Sequence, residues 1–327
     1  MFSFRPFKSA NTQPPQTVNN IISNIIKKAS TIKLEPTAIE QQRIGWIQTL
    51  QPNMEIILNK KNKYKLCCII GEGGYGTVWK VIDSKDCYYA LKILKVRDIK
   101  GEQIHIELSN CSDIIKGHYI DSISGPVNIP HINGFIMELG YSFSVVSYME
   151  CFFIIKNICK NLIDLNKHSL VHNDIKPPNI VRKSNGIYSL IDFSLCSTVL
   201  NITDNYLIHT LWYRSHEVLT NHHDIDYHKA DIWALGCTIF ELFTKTPLFP
   251  NSRCDKQIQQ ITEYYDLLPT EKYTFIYNKL FTENQTDSYS NKKIFTDLVI
   301  LMLSEQEYRP NAKMLYTIVD ECMSKIE

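Results

Sequence analysis

The 327-residue chain has no apolar run that approaches the length of a membrane span, and its N-terminus, MFSFRPFKSANTQPPQ, lacks the apolar centre of a secretory signal. A membrane partner is therefore not expected. It also lacks a charge imbalance: 35 Lys plus Arg against 34 Asp plus Glu leave +1, which gives no reason to invoke nucleic acid. Ten cysteines are present, yet they are scattered, with Cys67 and Cys68 adjacent and no Cys-x-x-Cys pair. That pattern excludes a disulfide scaffold and points to reduced thiols in a cytoplasmic or nuclear compartment. No Cys-His spacing supports a structural metal, and His222, His223 and His228 near Asp224 and Asp226 read as a solvated loop. There is no internal repeat. With 44% hydrophobic residues, the chain can bury the core of one large or two ordinary domains.

Residues 1–63 read as a flexible extension, because Asn, Thr, Gln and Pro dominate the first twenty positions. Two helical patches interrupt it, Ile21 to Ala29 and Ile39 to Leu50, the second with an imperfect apolar face of Ile39, Ile44, Trp46, Ile47 and Leu50. Arg5, Lys8, Lys27 and Lys28 precede the first acidic residue, Glu35, a charge order shared with transit peptides. Ile, Asn and Lys are abundant throughout, as in the AT-rich genomes of parasites or large DNA viruses, so a site inside a host cell is one expectation.

From Tyr64 onward, LCCII, GEGGYG, TVWKVID and CYYALKIL predict three antiparallel strands with a glycine-rich turn between the first two. Gly71-x-Gly73-x-x-Gly76-x-Val78 invites comparison with a dinucleotide fingerprint, but that fingerprint opens a helix, whereas Thr77-Val78-Trp79-Lys80-Val81 is strand-like. A later stretch, LVHNDIKPPNIVRKSNGIYSLIDFS from Leu170 to Ser194, gathers chemistry. It places Asp174, Lys176 and Asn179 on one short loop and, after a hairpin at Ser184-Asn185-Gly186, brings in Asp192. Alone, such residues are equally ordinary turn formers. Phosphoryl transfer needs a carboxylate at the attacking hydroxyl, a cation at the γ-phosphate and oxygen ligands for Mg²⁺, and this stretch can supply all three.

These motifs, in this order, resemble the protein kinase family over about residues 64 to 320. The resemblance implies an α+β, two-lobed fold: a β-rich N-lobe over 64–139 and a helical C-lobe over 140–327. It implies ATP and Mg²⁺ as cofactors, with Asp174 at the substrate hydroxyl, Lys176 at the γ-phosphate, and Asn179 and Asp192 as metal ligands. Lys92 would hold the α- and β-phosphates and pair with Glu107 on a following helix, Glu102 lying too early for that role. Gly71, Glu72, Gly73, Gly74, Tyr75 and Gly76 would form the flap over the phosphates. Val78, Ala90 and Val181 would sandwich the purine, Met137 would guard the back of its pocket, and Glu138 to Gly140 would be the hinge. Val145 to His168 predicts a buried helix.

Further on, Ser215-His216-Glu217 stands in the place of the family's Ala-Pro-Glu, and Arg309 would pair with Glu217. Thr210-Leu211-Trp212-Tyr213-Arg214 is most similar to the cyclin-dependent and related CMGC kinases, in which this segment shapes the pocket after the phosphoacceptor, often for proline. Protein substrates, a proline preference and a monomer by default follow, and a cyclin-like activator stays open. Three departures stand out. Asn173 replaces the arginine that reads an activation-loop phosphate, so activity without that phosphate is expected. Ser194 replaces the glycine of Asp-Phe-Gly, and His216 replaces a proline. A serine/threonine kinase is the favoured function; a pseudokinase scaffold and a small-molecule phosphotransferase of the aminoglycoside kinase type are the alternatives.

Overall fold

The computed structural model describes residues 38–73, 76–95, 100–111, 113–124, 132–145, 147–199, 210–281 and 288–326. The predicted patch at Ile21 to Ala29, the loop residues Gly74 and Tyr75, and the activation-segment residues Thr203 and Tyr206, between Ser194 and Thr210, lie outside them. The chain opens with helix α1 (Ala38–Thr49) and strands β1 (Glu55–Leu58), β2 (Asn62–Glu72), β3 (Gly76–Asp83) and β4 (Tyr88–Leu94). Helix α2 (Lys100–Cys111), β5 (Gly117–Ile120), β6 (Ile123–Ser124) and β7 (Gly134–Glu138) complete the N-lobe. Its seven strands run in the order β5-β7-β4-β3-β2-β1-β6.

Strand alternation gives this sheet two working faces. Leu66, Trp79, Val81, Leu91 and Ile93 are buried on one face, where Trp46 and Ile47 of α1, Leu50 just after it, and Ile56 and Leu58 of β1 cover them. Val78, Ala90 and Lys92 alternate with these and line the cleft. Residues 38–63 were expected to be a flexible extension, and here the structure differs: α1 and β1 belong to the N-lobe core. The apolar face of α1 looks weak by itself, and Trp46 and Ile47 with the adjoining Leu50 suffice because the sheet offers them an uncovered apolar surface.

The C-lobe begins with α3 (Tyr148–Lys167), whose N-terminus is capped by Ser147 Oγ accepting from Glu150 N at 3.3 Å. Strands β8 (Leu170–Val171), β9 (Ile180–Arg182), β10 (Tyr188–Leu190) and β11 (Ser197–Thr198) form two small hairpin-like pairs, β9 with β10 and β8 with β11. Helices α4 (His216–Leu219), α5 (Tyr227–Thr244), α6 (Cys254–Asp266), α7 (Pro269–Leu280), α8 (Tyr289–Met302) and α9 (Ala312–Met323) follow. Helix α5 is buried along most of its length, from Ala230 to Phe240, and forms the axis of the lobe. Among the described residues, no helix is long and apolar enough to cross a membrane.

Candidate active site

A cleft of about 1000 Å³ separates the lobes, and both sides contribute charged groups. On the C-lobe side, β8 delivers the chain to His172 and Asn173, whose backbone N–H groups donate to the Asp231 carboxylate at 2.8 and 3.0 Å. Asp231 is fully buried at the start of α5, and burial pushes its carboxyl up to about 7 against the pull of those two donors. Asn173 takes φ 64°, a left-handed conformation that asparagine tolerates better than most residues. That turn sets Asp174, itself buried, two residues before Lys176, which lines the cleft.

Asp174 is held from three directions. Its Oδ2 accepts from Asn179 Nδ2 at 2.9 Å and faces Lys176 Nζ at 2.8 Å, while its Oδ1 accepts from Thr210 Oγ1 at 3.1 Å. Lys176 Nζ also donates to Thr210 Oγ1 at 3.0 Å, so one hydroxyl joins the carboxylate to the ammonium. Thr210 had been read only as part of a subgroup motif; it lies 36 residues from Asp174, and no spacing rule connects them.

On the N-lobe side, Lys92 Nζ lies 2.7 Å from Glu102 Oε1 and 3.4 Å from Asp192 Oδ1. Burial alone would lower the lysine's pKa, but the Glu102 and Asp192 carboxylates outweigh it and hold it raised. The expected partner Glu107 is therefore corrected to Glu102. Helix α2 starts at Lys100, so Glu102 sits in its first turn, nearly buried, while Glu107 lies half-buried elsewhere on the helix. The periodicity of Ile104 and Leu108 could have revealed this, since Glu102, His105 and Ser109 share the buried side and Glu107 is off that phase.

Asp192 takes φ 62°, and its pKa is lowered: burial opposes the ionised form, but Lys92, followed by the Ser194 hydroxyl, overcomes it. Ser194 Oγ donates to Asp192 Oδ1 at 2.8 Å. Serine at this position thus needs no positive φ, which is absent at Ser194, and instead adds a bond to the aspartate.

The oxygen donors present suit a hard divalent cation. Asn179 spends Nδ2 on the Asp174 carbonyl and carboxylate, leaving Oδ1; Asp192 engages Oδ1 with Lys92 and Ser194, leaving Oδ2. Both residues line the cleft.

The apolar part of the cleft gathers Val78, Ala90, Met137 and Val181, together with Gly71, Glu72, Gly73 and Gly76. Ala90 pairs with Met137 across β4 and β7, which puts Met137 beside the purine-sized space. Glycine at 76 is required by packing, because a Cβ would sit 2.5 Å from the Ile93 carbonyl oxygen; at Gly73 a Cβ would meet nothing within 4 Å. Glu138 is the exception among the expected binding residues. Its carboxylate accepts from Ser184 Oγ at 3.0 Å, its N–H donates to the Lys116 carbonyl, and it does not line the cleft; Leu139 and Gly140 do. Beyond the cleft, Arg309 Nη1 donates to Glu217 Oε1 at 2.6 Å, both groups buried, which is the pairing the resemblance implied. The histidines before α5 form no cluster of three or more metal-ligating side chains among the described residues; His223 is exposed and faces Asp224.

A two-lobed fold with a lysine-glutamate pair above an aspartate-lysine-asparagine loop defines a phosphotransferase of the kinase class. Residues 64–318 match the protein kinase domain, and the chain belongs to the protein kinase family. Within it, the chain is of the CMGC, cyclin-dependent kinase-like kind. It is 30% identical over 213 residues to a probable cell division protein kinase of Encephalitozoon cuniculi, covering 61% of this chain and 78% of that one. It is 36% identical over 120 residues to cyclin-dependent kinase-like 2 of Rattus norvegicus, 36% of this chain but only 23% of that protein. To the human MAPK/MAK/MRK overlapping kinase it is 29% identical over 225 residues, 63% of this chain and 52% of the other.

Proposed function

We propose that the chain is a serine/threonine protein kinase that uses Mg-ATP and needs no phosphate on its activation segment. The observation that carries the reading is the threefold hold on Asp174 by Asn179, Lys176 and Thr210 at the floor of the cleft. Asp174 takes the proton of the acceptor hydroxyl as that oxygen bonds to the γ-phosphorus and the bond to the ADP oxygen breaks. Lys176 offsets the negative charge that gathers on the transferred group, and Lys92, steadied by Glu102, orients the α- and β-phosphates. Asn179 and Asp192 would hold Mg²⁺, which would supply positive charge to offset that of the phosphate oxygens.

Independence from phosphorylation is supported by Asn173. Its Nδ2 donates to Ser197 Oγ at 2.9 Å and to the Leu195 carbonyl at 3.1 Å, so an uncharged amide ties the start of the activation segment to the catalytic loop. An arginine there would wait for a phosphate. A preference for proline after the acceptor is supported by Trp212, which is fixed by Nε1 donating to the Asn251 carbonyl at 2.8 Å beside Tyr213.

Labelled ATP, Mg²⁺ and a generic protein acceptor, followed by phosphoamino acid analysis, test the reading. Wild type should label serine and threonine, and Asp174→Asn should lose roughly a hundredfold or more in turnover while still binding nucleotide. Undiminished turnover in Asp174→Asn, or label on tyrosine alone, would overturn it.

A further inference from the structure

Helix α2 carries Glu102, and its position decides whether Lys92 is paired. In this chain α2 is fastened to the C-lobe by its own side chains. Its buried residues Ile104 and Leu108, with Ile114 just beyond it, belong to the C-lobe core cluster around Phe193, and not to the apolar cluster on the other face of the N-lobe sheet.

His105 is the centre of the attachment. It is buried, and its ring lies 4.9 Å from that of Phe193 and 4.8 Å from that of Phe135. Its Nε2 is 2.8 Å from the Ile115 carbonyl oxygen, where it must donate because a carbonyl only accepts. Ile115 N–H in turn donates to Ser189 Oγ at 3.1 Å, and Ser189 lies on β10, three residues before Asp192. The helix is thus wired through one residue to the strand that leads into the metal-binding aspartate. Asp113, in the same connection, pairs with Lys160 of α3 and its carbonyl accepts from Lys183 at 3.1 Å.

The first turn of α2 is seated equally closely. A Cβ at Gly101 would lie 2.6 Å from both Cα and N of Ser194, so the helix backbone rests on the Asp-Phe-Ser backbone. Only five residues, 95–99, join β4 to α2, and the first of them, Lys95, is itself bonded to Glu72 and the Gly73 carbonyl. A tether that short restricts the swing available to the helix.

We propose that α2 is locked in the catalytic position by the chain alone, with His105 and Gly101 as positioning residues, so that no partner protein is required to bring Glu102 to Lys92. This rests on the kinase reading above. His105 borders the cleft beside Glu102 and acts by holding Glu102 and Phe193 in register. Gly101 is the cleaner probe, since alanine raises helix propensity while its methyl group displaces the helix from Ser194.

The test uses the purified full chain without added proteins, with Mg-ATP and a generic protein acceptor, for wild type, Gly101→Ala, His105→Phe and His105→Gln. Phenylalanine keeps ring packing and removes the donor, whereas glutamine can still donate to Ile115. Turnover should fall roughly tenfold in Gly101→Ala and His105→Phe with KM for the acceptor unchanged, and recover at least in part in His105→Gln. Hydrogen exchange over residues 100–111, read without nucleotide, should be slow in wild type and faster in Gly101→Ala. Full turnover and unchanged exchange in both defective variants would overturn the lock. So would a wild-type chain that binds Mg-ATP yet stays inert until a cell extract is added, an outcome that leaves the kinase reading standing. Failure to bind Mg-ATP at all would instead remove the kinase reading, and the lock with it.

Discussion

The two sides of the cleft are built on different principles. On the floor, Asp174, Lys176 and Asn179 fall within a few residues of one another and bond directly, so local backbone geometry sets their arrangement. On the roof, Lys92 reaches Glu102 on a separate helix and Asp192 a hundred residues away, so its environment exists only when α2, β4 and the Asp-Phe-Ser turn are assembled. Perturbing the floor should remove chemistry from an intact site. Perturbing the roof should leave the chemistry in place but reached less often.

The largest effect on the floor's support is expected at Arg309. Its guanidinium is buried, pairs with Glu217 and donates to the Ser304 and Lys229 carbonyls, which ties the segment beyond Thr210 to the lobe. Arg309→Ala leaves the Glu217 carboxylate buried without its partner and should cost about 3–5 kcal/mol. Thermal unfolding should register a fall of about 10 °C; a change of a degree or two would place the floor's support elsewhere.

The roof should show its dependence in acid. Burial lowers the pKa of His105 to about 4 from 6.5, more than its bond to Ile115 raises it. A histidine whose folded value lies below its unfolded value stays neutral in the native state. Its contribution is complete above pH 6.5 and is lost as pH falls from 6.5 towards about 4, amounting to about 3 kcal/mol. Denaturant titrations across that window should therefore have a slope in wild type that is shallower by about one proton in His105→Phe. Equal slopes would show that His105 titrates normally.

Smaller still is the contrast between the two glutamates of α2. Glu102→Gln should reduce turnover roughly tenfold, having lost a charged partner of Lys92, whereas Glu107→Gln should stay within about twofold. The reverse order in steady-state assays would restore the pairing expected from spacing alone.

The same division explains what could be read before the fold was known. The grouping of Asp174, Lys176 and Asn179 was legible because it follows from a contiguous stretch whose turn chemistry is local, and Asp192 ends the same stretch. The Arg309–Glu217 pair was legible as well, through two short motifs at opposite ends of the C-lobe. Glu102 was missed because the count from Lys92 assumed a longer connection than the five residues between β4 and α2. The role of Thr210 required a tertiary contact with Asp174, and that of Ser194 a local bond that depends on the left-handed turn at Asp192. Residues 38–63 misled for a related reason: α1 looks marginal until the exposed face of the sheet is there to receive Trp46.

The central claim is that the chain, alone and without phosphate, assembles a complete phosphoryl-transfer cleft. It is tested most directly by treating the purified protein with phosphatase, removing the phosphatase, and following transfer of labelled γ-phosphate to a generic protein acceptor. The account predicts steady transfer to serine and threonine from the first minutes, without a lag for autophosphorylation. Bound nucleotide with no transfer, or transfer that starts only after the chain has labelled itself, would contradict it.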